Sequence, residues 1–260
     1  MRQTASHAGV LDVGDRHEID PLATIPGPAL REISAAAWTI LDIRRLLAKT
    51  GDNVVGEVLR GEGMFTEWNH YPNADVYDPE THSQYYYHAH PAQDAKLTEH
   101  GHFHLFLGER GMPDGVRPTP GQSLPPDNNR ELCHLIAISM DAVGQPIRLF
   151  TTNRWVTGDL WYPAEDVSRM VPAFRVDVVR PNLAVNRWIS AIVQLFRPQI
   201  DELLRDRDEA IEAWRKHHPK TDAFEDRRLE ITSMMEISAD SQIDAVLSRL
   251  DGGSDGSASP

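Results

Sequence analysis

Cysteine is almost missing from this chain. The single residue, Cys133, excludes an internal disulfide and any zinc site built on two or four cysteines. Positive charge is also short: 26 Lys and Arg against 39 Asp and Glu give a formal net charge of -13. That balance opposes binding to a phosphate backbone, which needs clustered cations. No apolar run approaches the roughly 18–20 residues that span a bilayer. The stretch MRQTASHAGVLDVGDRHEID has no apolar core of the kind a secretory signal carries. Internal repeats and a glycine-rich phosphate cradle are absent too. These absences lead us to expect a reducing, cytoplasmic setting and a small-molecule partner, not a nucleic acid or a membrane. They leave the oligomeric state open.

Histidine, by contrast, is concentrated. Of 12 histidines, eight lie between His70 and His134, and five stand in the stretch SQYYYHAHPAQDAKLTEHGHFHLFL from Ser83 to Leu107. Side chains at i, i+2 and i+4 of a strand share one face, about 6.5–7 Å apart. The spacing therefore predicts one row of His100, His102 and His104, and another of His88 and His90 in line with Tyr86. Five of the six tyrosines fall between Tyr71 and Tyr87, an aromatic wall with hydroxyl tips.

The rest of the chain reads as an α+β protein. Its expected sheet is mostly antiparallel, carries the histidine strands, and is covered by helices. Residues 1–25 read as a loose arm, 26–250 as a single domain and 251–260 as a disordered tail. Helical spacing marks about Ala29–Lys49, stopped at Gly51. Val54–Arg60 looks like a strand, and Met64–Asp78 like a structured loop holding Glu67, His70, Asp75 and Asp78. Strands are expected at Ser83–His90, Glu99–Leu107, Leu132–Met140 and Ile147–Thr152, with a long proline-rich loop over Gly108–Arg130. His134 lies in line with Ile136 and Ile138, so it reads as a hydrogen-bonded core histidine, with a ligand role as the alternative. From about residue 182 the chain turns mainly helical, with Asn182 as a cap. Leu229–Ile237 alternates as a strand, and a helix over Ser238–Leu250 follows.

Three chemistries fit the histidines. The first is a divalent transition metal, iron or zinc, held by His88, His90, His102 and His104. His100 would be a neighbouring acid–base group, and Tyr86 and His70 would orient substrate or water. Glu67, Asp94 and Glu99 are the candidate carboxylates, Glu99 the poorer one because a regular strand turns it away from His100. His88-Ala-His90, Asp94 and Gly101 together resemble the first motif of the cupins, in which two histidines and an acid bind a metal. The second chemistry is nucleophilic. His100-Gly-His102-Phe-His104-Leu-Phe-Leu resembles the signature of the histidine-triad nucleotide hydrolases and transferases, which implies attack on phosphorus by His102. Gly101 departs from that family's bulky apolar residue. The third is non-enzymatic: a metal or haem carrier, a sensor, or a histidine-rich structural core whose imidazoles are satisfied by tyrosines, carboxylates and water. The segment EHGHFHLFL also resembles an uncharacterised family of bacterial proteins, a likeness that implies a recurring domain but no activity. The reading that results is a metal-dependent enzyme acting on a small molecule, with oxidation and hydrolysis both open.

Overall fold

A computed structural model describes residues 22, 25–91, 99–122 and 131–254. Apart from residues 22 and 25, the expected arm at 1–25 lies outside them, as do most of the expected tail, Asp94 and the stretch 123–130 of the long loop. Six strands form one sheet in the order β1-β2-β3-β4-β5-β6, each antiparallel to the next. They are β1 (Tyr71–Tyr77), β2 (Ser83–His88), β3 (Gly101–Gly108), β4 (Leu132–Met140), β5 (Pro146–Thr152) and β6 (Ile231–Glu236). The helices are α1 (Gly27–Ala48), α2 (Val54–Leu59), α3 (Arg154–Thr157), α4 (Ala164–Met170), α5 (Leu183–Leu195), α6 (Arg197–His217) and α7 (Ala239–Ser254). No helix among the described residues is long and apolar enough to cross a membrane.

One face of the sheet is a packing surface. Tyr85, Tyr87, Phe103, Leu105, Leu107, Ile136, Ile138 and Leu149 join a single buried cluster with Ile40 of α1, Trp188 and Ile192 of α5, and Leu203 and Leu204 of α6. Each large side chain so buried contributes roughly 1.5–3 kcal/mol. The Tyr85 hydroxyl donates to Asn186 Oδ1 at 2.6 Å, tying α5 across β2. Asn182 caps α5 by accepting from the backbone N–H of Ala184 and Val185. Helix α7 runs to Ser254, past the point where the sequence suggests a tail.

Two segments differ from the sequence reading. Val54–Leu59 is a helix, not a strand. The Asn53 side chain accepts from the N–H groups of Val55 and Gly56, and Val54, Val55 and Val58 are buried together. A cap of about 1 kcal/mol and helical burial outweigh the strand preference of three valines. The expected loop over Met64–Asp78 contains an edge strand, β1, whose register against β2 shifts between Tyr71 and Val76. Ala74 and Asp75 adopt φ of 88° and 50°, so the strand is bulged and its alternation is broken. Pro72 fits there because an edge strand need not donate on its outer side.

Candidate metal centre

Pairing across the strands builds the second face. His88 stands opposite His102, His102 opposite Ser139, and Ser139 opposite Arg148. Beside that row runs another: Tyr86, His104, Ala137 and Phe150. Directly opposed residues point to the same side of a sheet. The helix face and the histidine face are therefore alternate residues of the same strands.

Three buried histidines, His88, His102 and His104, bring ligand atoms within 4.8 Å of one another. The Nε2 atoms of His88 and His102 are 2.6 Å apart, at hydrogen-bond distance. Each of the two β3 histidines has an outer partner. His102 Nδ1 bonds the Glu99 carboxylate, and His104 Nδ1 lies 3.0 Å from His134 Nε2. His134 is fixed in turn, its backbone N–H donating to Asp159 Oδ2 at 2.7 Å. The Phe150 ring meets the edge of His102 at a centroid separation of 5.2 Å and closes one side.

Burial sets the charge of the cluster. His88 is held down to about 2, first by desolvation and then by His102, His90 and His70. His104 falls well below the usual range through burial and the surrounding histidines. His134 is lowered to about 3 by burial and by the Arg207 guanidinium. These three imidazoles are neutral at pH 7, the form that binds metal. Desolvation raises the Glu99 carboxyl, but His102, the nearby Ser139 hydroxyl and the Arg148 charge outweigh it and leave the group below its ordinary value.

The other expected residues are distributed around this centre. Tyr86 is buried, with ring centroids 5.4 Å from His88 and 5.2 Å from His104. His70 stacks on Tyr86 at 3.6 Å, and its Nδ1 lies 3.0 Å from Asp75 Oδ1. His90 sits at the rim, stacked on Trp68 at 4.4 Å and 5.3 Å from the His102 ring, outside the group of three. His100 does not join the row. It precedes β3, where strand parity does not apply, and its Nδ1 bonds the hydroxyl of Tyr87, a residue of the helix face. Glu67 is exposed, and Asp78 instead accepts the backbone N–H groups of Glu80, Thr81 and Asp177.

Two residues read differently in the sequence prove central to the geometry. His134 was expected on the apolar side with Ile136. In β4 the pairing steps from Leu105↔Ile136 to Phe106↔His134, so Leu135 is an extra residue. This bulge turns His134 to the histidine face while Leu135 and Ile136 both stay in the core. Glu99 reaches His102 from the turn before β3, three residues away, a placement that strand alternation cannot foresee. Gly101 has a local cause: a Cβ there would lie 2.5 Å from the His88 carbonyl oxygen and 2.6 Å from the Tyr87 hydroxyl. Ser139 and Arg148 were missed; their only signal is a polar residue within a largely apolar strand.

The motif likenesses fit this geometry in part. Of the cupin-like pair, His88 is in the group and His90 is not. The histidine-triad likeness meets a His102 whose two ring nitrogens are already engaged by Glu99 and His88. No curated protein and no solved structure matches the chain. Residues 34–237 match a domain of unknown function, DUF6969, and the chain belongs to that family.

Proposed function

We propose that this protein is a metal-dependent enzyme acting on a small molecule, with His88, His102 and His104 holding one divalent transition-metal ion. The observation that carries the reading is the convergence of three buried imidazoles within 4.8 Å, two of them with Nδ1 already bonded outward. Ligating histidines almost always donate their second nitrogen to a carboxylate or similar acceptor. Glu99 and His134 stand in that position, which leaves Nε2 of His102 and of His104 for the ion. Three imidazoles buried as mere packing would cost more than an apolar core in the same place.

The donor set suits a bare ion better than haem, whose iron offers its axial positions on opposite sides of a flat ring. For His88 to bind through Nε2 its one proton would have to sit on Nδ1, a change of tautomer in a ring that stays neutral. Three protein ligands leave open positions, and an ion bound there supplies Lewis acidity to a water or substrate oxygen. Access supports catalysis over storage. An open cleft of about 590 Å³ is lined by Glu62, Asn69, His70, Asn73 and Asp75 among others. His70 on its wall stacks on Tyr86, which touches two of the three histidines. Asp75 holds His70 through Nδ1, and on this reading the dyad would pass a proton between the cleft and the centre.

Elemental analysis of untagged protein tests the proposal. One equivalent of zinc, iron or a neighbouring metal per chain, lost in His102→Ala and His104→Ala variants that remain folded, is the expected result. Metal-free protein that also refuses added zinc and iron(II) would overturn it. Zinc-loaded protein that hydrolyses esters or amides, and iron-loaded protein that consumes dioxygen, separate the two reaction classes.

A further inference from the structure

Beside the histidines lie three buried polar atoms without a hydrogen bond of good geometry, Glu99 Oε2, Ser139 Oγ and Arg148 Nη1, although the Ser139 hydroxyl is near enough to Glu99 to lower its carboxyl. Such atoms are costly and few in folded proteins, and several at one place mark a site that something polar fills. The strand register places them together. Ser139 stands between His102 and Arg148 in one cross-strand row, and Glu99 is bonded to His102. Arg148 is only 9% exposed. Its Nε and Nη2 both donate to a single oxygen of Glu236, at 2.9 Å and 2.5 Å, so one edge of the guanidinium is committed and Nη1 is not.

Glu236 is largely exposed, so its carboxylate is shared with solvent, and the buried Nη1 of Arg148 remains the charged donor on offer. A guanidinium edge beside a hydroxyl is a carboxylate receptor. Ser139 is one strand spacing, about 4.8 Å, from the backbone of His102, so a molecule of a few atoms anchored there reaches the metal ligands. The remaining acceptor, Glu99 Oε2, asks for a donor next to that carboxylate.

We propose that Arg148 and Ser139 anchor the carboxylate of a small organic acid at the metal centre, with Glu99 Oε2 accepting from a neighbouring hydroxyl, so that the site takes short 2-hydroxy acids. This rests on the metal reading, and the test separates the two.

Full-length protein loaded with cobalt(II) is titrated with lactate and with lactamide, its uncharged counterpart, and the cobalt absorption is followed. Lactate is expected to saturate the site and to bind about ten- to hundredfold more tightly than lactamide, the worth of one charged hydrogen-bond pair. Arg148→Gln should remove that preference while cobalt affinity stays within about threefold of the parent. Should Arg148→Gln not fold, Ser139→Ala, a smaller change, is expected to weaken lactate about three- to tenfold with cobalt uptake intact. Cobalt uptake with equal binding of the two probes, or with no spectral change on adding lactate, overturns the anchor alone. Failure of the parent protein to take up cobalt overturns the metal reading and this proposal with it.

Discussion

The two faces of the sheet are made by the same strands and differ in almost everything else. On one, Phe103, Leu105, Ile136 and Ile138 pack under α1 and α5. On the other, the alternate residues are His102, His104, Ser139 and His134. Both faces are buried. Burial alone therefore does not distinguish packing from chemistry; what distinguishes them is whether the buried atoms can satisfy one another. The helix face does so by contact, apart from the Trp188 indole N–H, which has no hydrogen-bond partner. The histidine face does so only in part, through outer bonds to Glu99 and His134, and leaves nitrogens facing each other.

That contrast can be broken from either side. The largest effect is expected on the histidine face: His104→Ala abolishes stoichiometric metal binding, read by elemental analysis, because two imidazoles no longer close the site. On the helix face, Phe103→Ala should cost about 3–5 kcal/mol in denaturant unfolding. Metal content per folded molecule should be unchanged. Reversed outcomes, with metal lost in Phe103→Ala and kept in His104→Ala, would show that the two faces have been assigned the wrong roles.

Smaller changes sharpen the comparison. Glu99→Gln retains the shape but weakens the acceptor on His102, and a competition titration should show metal affinity lower by about 10–100-fold. His90→Ala should change it by less than Glu99→Gln does, since His90 lies outside the group of three; a Glu99-sized loss would place His90 among the ligands. Acid gives a graded test on metal-free protein. His88 and His134 are held near 2 and 3 in the fold, against an ordinary value of about 6.5 when unfolded. Below that ordinary value the unfolded chain binds protons that the folded chain refuses. Their contribution is thus complete above about pH 6.5 and is lost as pH falls toward the folded values, by up to about 1.4 kcal/mol per pH unit for each histidine. Urea midpoints measured from pH 7.5 to 5 check this, and a flat profile would mean that these imidazoles are not buried neutral.

How much of this was legible beforehand follows from what alternation can encode. Strand β4 spans Leu132–Met140 in the sequence reading and in the structure alike, because an unbroken apolar run between turns has few other solutions. The period-two spacing of His102 and His104 held, since both lie inside a regular stretch of β3. It failed at His100 and Glu99, which precede that strand, and at His134, where one extra residue reverses the parity of all that comes before it. Valine content misled at α2, where a single asparagine cap decides the outcome. The Arg148–Ser139 neighbourhood needs the pairing of three strands to exist at all, and register is a tertiary property.

The most direct measurement is X-ray absorption on the zinc-loaded protein. Three imidazole nitrogens at about 2.0–2.1 Å, with their characteristic outer-shell scattering, are the expected result. A zinc environment with one imidazole or none, made up of carboxylate and water oxygens, would contradict the account.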